Sequence, residues 1–107
     1  MPILQINFKL NAPAEEYAAS CQAVTQAIAG VAGLRWKIWI LNEQEKEAGG
    51  IYFFDTEQAL SDYLSGPIVA QLRKHPGVRD VAVKRFDVME DLTSTTRGPV
   101  SHLAATQ

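Results

Sequence analysis

Two stretches of the chain, Leu34-Arg35-Trp36-Lys37-Ile38-Trp39-Ile40-Leu41 and Ala48-Gly49-Gly50-Ile51-Tyr52-Phe53-Phe54, read as strands with no convincingly polar face. Successive side chains of a strand point to opposite sides. In the first stretch Leu34, Trp36, Ile38 and Ile40 therefore share one face, and Arg35, Lys37, Trp39 and Leu41 share the other. In the second, Ile51 and Phe53 lie opposite Tyr52 and Phe54. A sheet with one face in water alternates apolar and polar residues, whereas strands covered on both faces do not. Whatever this chain folds into must cover both sides of these two strands.

The remaining elements say how much cover the chain carries. Residues 3–10 alternate cleanly, with Leu4, Ile6, Phe8 and Leu10 on one face and Gln5, Asn7 and Lys9 on the other, the mark of a strand. Asn11 and Pro13 signal a helix start. Tyr17, Cys21, Val24, Ile28 and Val31 follow at steps of four and three, one apolar helical stripe that Gly33 ends. Residues 42–47 lack aromatic and β-branched side chains and suit an exposed hairpin connection. Asp55 or Thr56 caps a second helix running to about Ser65, with Ala59, Leu60, Tyr63 and Leu64 inward. Gly66-Pro67 breaks it, because proline disfavours a helical residue before it and lacks a donor. Residues 68–74 resume as a helical turn or two, His75-Pro76-Gly77 turns the chain, and residues 78–89 form a fourth strand.

Strand, helix, strand, strand, helix, strand is the order of an α+β, ferredoxin-like fold: β-α-β-β-α-β, a four-stranded antiparallel sheet with both helices on one face. Residues 1–90 make this single domain; 91–107 form a tail, either an arm laid on a partner or a loosely ordered end. Two helices cover one face only, so the other should meet a second sheet, most simply in a two-fold homodimer. Stable association of that kind buries ~800 Å² per partner.

Composition narrows the partners. The 107 residues carry a net charge of −2 with basic and acidic positions interleaved, which argues against nucleic acid, since phosphate binding needs a concentrated basic face. No apolar run approaches the roughly 18 residues of a membrane span, and the amino terminus lacks a signal pattern. A lone cysteine, Cys21, cannot close an internal disulfide, and no Cys/His set has zinc-ligand spacing. The expectation is a soluble cytoplasmic protein without metal or bound cofactor.

Candidate chemistry concentrates in residues 35–54. Trp36 and Trp39 face opposite sides of one strand; Trp36 belongs to core or interface, and Trp39, in the same row as Lys37, to a pocket wall. A lysine between inward tryptophans either snorkels to water or has a partner, and Glu47 across the hairpin is the candidate partner. Tyr52 brings a phenol that needs a hydrogen bond if buried, and Asn7 offers an amide. Gly49-Gly50 costs the strand roughly 0.5–1 kcal/mol per residue, offset by a bulge or by the close approach of a ligand or another backbone. Cys21 reads as a small core residue; His75 and His102 read as solvated. No Ser-His-Asp set, phosphate loop or paired-carboxylate motif is present.

The segments Trp36-Lys37-x-Trp39, Glu47-Ala48-Gly49-Gly50-Ile51-Tyr52 and Lys84-x-Phe86-Asp87-Val88 resemble the YdhR-type mono-oxygenases of the dimeric α+β barrel superfamily, over about residues 2–92. The resemblance implies two ferredoxin-like subunits packed sheet against sheet, and an activity by analogy with relatives that oxidise polycyclic phenols without flavin or metal. The expectation is a homodimeric, cofactor-independent mono-oxygenase for a small phenolic or quinol-like aromatic. Trp39 would stack on the ring, Lys37 would stabilise the phenolate, and Tyr52 and Asn7 would orient it. Glu47 would hold Lys37 or act as base, and Gly49 and Gly50 would leave room. Two alternatives stand beside it: a haem-binding or haem-degrading protein, with His75 as axial ligand, and a non-enzymatic small-molecule-binding dimer.

Overall fold

The computed structural model describes residues 1–100. Its elements are β1 (Pro2–Leu10), α1 (Ala14–Ala29), β2 (Leu34–Asn42), β3 (Glu47–Phe54), α2 (Glu57–Leu64), α3 (Pro67–Lys74), β4 (Val78–Asp87) and α4 (Glu90–Thr95). The strands form one antiparallel sheet in the order β2-β3-β1-β4, the α+β, ferredoxin-like arrangement. Among the described residues no helix is long and apolar enough to cross a membrane.

Alternation in β1 sets the core. Leu4, Ile6, Phe8 and Leu10 are buried and join Tyr52, Phe54, Leu60, Tyr63 and Val69 in one cluster. Helices α1, α2 and α3 cover this side of the sheet. Thr56 caps α2, its hydroxyl accepting from the Ala59 amide at 3.1 Å, and Pro67 opens α3 where the Gly-Pro break was expected. Gly33 needs to be glycine: its φ is +79°, and the Ala59 methyl occupies the place of its missing side chain.

Three local expectations are corrected. Asn11 does not cap α1; its side-chain amide donates instead to the Pro76 carbonyl at 3.2 Å. The fourth strand ends at Asp87, two residues short of Met89. Leu34 does not share a face with Trp36. The pairing steps from Leu34–Phe54 to Trp36–Phe53, so Arg35 is an extra residue in β2. Such a bulge shifts the alternation by one. It turns Leu34 into the helix-covered core and frees Arg35 to reach Asp55 at 3.0 Å.

On the opposite face cross-strand rows run Phe86–Ile3–Phe53–Trp36 and Lys84–Gln5–Ile51–Ile38. Phe53 is fully buried there, 5.4 Å from Trp36 between ring centres. The segment after β4 returns to this edge: the Trp36 indole donates to the Pro99 carbonyl at 2.9 Å, and Val100 is buried. Ile38, Phe86, Met89 and Leu92 stay exposed. His102 lies outside the described residues.

Candidate active site

The stripe of α1 does not close onto the sheet. Of its apolar residues only Ile28 is fully buried, while Tyr17, Cys21 and Val24 border a cavity of about 400 Å³ enclosed by α1, α3 and the sheet. That volume is within the range of small-molecule sites, roughly 300–1,000 Å³. β2 and β3 supply its floor with Lys37, Trp39 and Tyr52; α2 supplies Tyr63.

The floor follows from the strand register. Lys37 lies across from Tyr52 and Trp39 across from Gly50. A Cβ on Gly50 would stand 2.6 Å from Lys37 Cε and 3.0 Å from the Tyr52 ring. Glycine at this one position lets the lysine stem lie diagonally over β3, which brings Nζ to 3.4 Å from the centre of the Trp39 ring and 4.7 Å from that of Tyr52. Gly49 answers to a different neighbour. A Cβ there would run into the Ile6 carbonyl, so the close approach is that of the adjacent strand's backbone.

Lys37 forms no ion pair among the described residues. Burial lowers its pKa from the ordinary 10.5 to about 8, against a smaller upward pull from Cys21. The ring faces of Trp39 and Tyr52 partly replace the lost water around the ammonium. The phenol oxygens of Tyr52 and Tyr63 are 3.2 Å apart. The two hydroxyls hold two protons and share one mutual bond, so one O–H remains to donate to a ligand, whichever residue carries it. Burial raises the pKa of both phenols. Tyr17, also raised by burial and by the neighbouring Cys21 side chain, stands edge-on to Phe8. The result is a largely apolar cavity in which Lys37 is accompanied by the hydroxyls of Tyr17, Tyr52 and Tyr63 and the Cys21 sulfur, with Glu16 on its border.

Lys37, Trp39, Tyr52 and Gly50 are thus brought together as the sequence suggests. Glu47 and Asn7 are not. Both lie on the opposite face of the sheet, Glu47 paired with Lys9 at 3.4 Å and Asn7 accepting from Gln5 at 2.9 Å. The expected Lys37–Glu47 pairing fails because the register sets Lys37 across from Tyr52 and Glu47 across from Asn42, and 37 and 42 lie on opposite faces of β2. Tyr63, Tyr17 and Cys21 border the cavity without having been singled out for it, and His75, expected only as a haem ligand, borders it as well. The one available signal was the polar-tipped Tyr17-x-x-x-Cys21 pair in a stripe that a closed core would fill with aliphatics. His75 stands at the mouth, its Nδ1 accepting from the Gly77 amide at 2.9 Å. That bond leaves the proton of the neutral ring on Nε2. Among the described residues no cluster of His, Cys, Asp and Glu could hold a metal ion.

Residues 3–99 match the family described as "Putative mono-oxygenase ydhR". The chain belongs to this family. Curated proteins provide no match to it. Solved structures similar to this ydhR-family protein share its fold at low identity. An antibiotic biosynthesis mono-oxygenase from Deinococcus radiodurans, so described as putative, is 19% identical with a TM-score of 0.69, covering 84% of this chain and 94% of its own. A mono-oxygenase from the gene ActVA-Orf6 of Streptomyces coelicolor, solved with nanaomycin D, is 18% identical with a TM-score of 0.62, over 81% and 86%. The haem degrader MhuD of Mycobacterium tuberculosis, solved with two haems, is 16% identical with a TM-score of 0.63, over 81% and 95%.

Proposed function

We propose that this ydhR-family protein is a homodimeric, cofactor-independent mono-oxygenase that converts a small phenolic or quinol-like aromatic to a quinone. The observation that carries the reading is the Lys37 amine, without an acidic partner among the described residues, held on the Trp39 ring in an apolar cavity. At a pKa of about 8, roughly a quarter of the amine is neutral at pH 7.5. Neutral Lys37 takes the phenolic proton, and the resulting ammonium holds the phenolate beside it. Such a pair is far stronger in a dry site than in water.

The phenolate is electron-rich enough to reduce oxygen directly. A bond forms between a ring carbon and one oxygen atom; the O–O bond then breaks as the ring hydrogen leaves, and water departs. The sum, phenol plus O₂ giving quinone plus water, balances with the substrate supplying every electron. The free O–H of the Tyr52–Tyr63 pair donates to the oxygen anion that develops. Trp39 holds the Lys37 amine on its ring face, and the substrate ring packs beside it against Phe8 and Val24. Asn7 and Glu47, on the other face, take no part in the cavity chemistry.

Dimerisation enters as part of the proposal. Ile38, half exposed, and Phe86, with Ile40 and Ile51 beside them, offer an apolar sheet face that a second copy would cover. Haem does not suit the residues present. The Nε2 lone pair that would bind iron is occupied by a proton while Nδ1 accepts from Gly77, and no other described histidine is available.

The test is oxygen uptake by metal-free, flavin-free protein over a panel of hydroquinones, catechols and naphthols. Uptake without added cofactor that disappears in Lys37→Ala, with circular dichroism and oligomeric state retained, is the expected result. Turnover retained by Lys37→Ala would eliminate the assigned role.

A further inference from the structure

We propose that Lys37 is also a Schiff-base lysine, and that the cavity takes aromatic aldehydes and ketones as covalent ligands. An amine condenses with a carbonyl only when three conditions coincide: it must carry its lone pair, the carbonyl must be held against it, and water must be able to leave. Each has a counterpart here. Lys37 has no carboxylate partner among the described residues to hold it as ammonium, and desolvation favours its neutral form. The groups that face it include no carboxylate: Trp39 on its own strand, Tyr52 on β3, Tyr63 on α2, and Tyr17 and Cys21 on α1. Glu16 and His75 border the same cavity.

Lys37 covers the face of Trp39, and Phe8, Val24 and Leu72 offer apolar wall beside it for an aryl group, which would set a carbonyl beside Nζ. The step is a simple condensation. The Nζ lone pair adds to the carbonyl carbon and the oxygen becomes a hydroxyl. That hydroxyl then leaves as water as the C=N bond forms, with no change of oxidation state. The free O–H of the Tyr52–Tyr63 pair can protonate the departing hydroxyl, the acid that carbinolamine dehydration requires. The oxygen reaction plays no part in this chemistry; the proposal shares with the proposed function only the binding of an aromatic ring in the cavity, and not its turnover.

The test is reductive trapping on the full chain. The protein is incubated with 2-naphthaldehyde and cyanoborohydride at pH 7.5, and the adduct is located by peptide mapping. Lys9, Lys46, Lys74 and Lys84 and the Met1 amine serve as internal references. An ordinary lysine carries ~200-fold less free amine than Lys37 at this pH, so Lys37 should label at least about tenfold faster than exposed Lys46. Saturating 2-naphthol should slow Lys37 and leave Met1 unchanged. Lys37→Arg, which keeps the charge, should lose that adduct alone. Labelling of Lys37 no faster than Lys46, or labelling indifferent to 2-naphthol, overturns the proposal whether or not the protein consumes oxygen.

Discussion

Replacing Lys37 by methionine should stabilise the protein at neutral pH, an unusual direction for a change inside a candidate active site. The drop in pKa from 10.5 to about 8 corresponds to roughly 3.4 kcal/mol of disfavoured charge at 1.36 kcal/mol per pH unit. Lys37 is only partly buried, so solvent screening reduces this figure. Its contacts with the Trp39 and Tyr52 faces return another ~0.5–2 kcal/mol. About 2 kcal/mol remains as a cost that the folded protein bears and the unfolded chain does not. The folded pKa lies below the unfolded one, so the unfolded chain binds the extra proton between pH 8 and 10.5. Stability attributable to Lys37 therefore rises with pH across that window. Methionine fills a similar volume without a charge. Lys37→Met should gain about 2 kcal/mol at pH 7, roughly 10 °C in Tm for a domain of this size. The gain should shrink towards zero by pH 10.5. Urea unfolding of both proteins at pH 7, 8.5 and 10, at one fixed concentration so that association does not shift the midpoint, measures it. A variant no more stable than the parent at pH 7, or a gain that does not change with pH, would show that the ammonium is adequately solvated and that the cavity is not dry.

The same lysine sets a pH dependence of turnover. If neutral Lys37 is the base, log kcat/KM should climb by about one per pH unit below 8 and level off above it; a flat profile from pH 6 to 9 with a neutral-pH phenol would refute that role. Gly50→Ala places a methyl against Lys37 Cε and the Tyr52 ring. The flexible lysine end must move towards the mouth, its pKa should return towards 10.5 by NMR titration, and kcat/KM should fall about tenfold or more. Fold stability should change by no more than ~1 kcal/mol, and an unchanged pKa near 8 would contradict the positioning. The double substitution Tyr52→Phe/Tyr63→Phe removes both hydroxyls of the 3.2 Å pair and should lower kcat by ~10- to 100-fold with little effect on KM, whereas either single variant keeps one free O–H; an unchanged kcat in the double variant would refute the donor role. Ile38→Lys puts a charge into the exposed apolar row and should leave a folded monomer by analytical ultracentrifugation; a dimer that survives it does not use this face.

Much of the molecule is legible from local pattern because its causes are local. Alternation along Leu4, Ile6, Phe8 and Leu10 is dictated by the pleat of a single strand, and the Gly66-Pro67 break by the chemistry of two adjacent residues. The pairing of Lys37 with Trp39 on one face follows from parity within β2. Three decisions belonged to tertiary structure. The extra Arg35 shifts parity at the start of β2, and only pairing with Phe53 and Phe54 reveals it. Whether Asn7 and Glu47 share a face with Lys37 depends on the register between strands distant in sequence, and that register puts them on the far side. Finally, an apolar stripe states that a helix face avoids water, not what fills the space before it. Tyr17, Cys21 and Val24 meet a cavity instead of a closed core, because burial preference is a property of side chains while the distance from α1 to the sheet is set by all the elements packed between them.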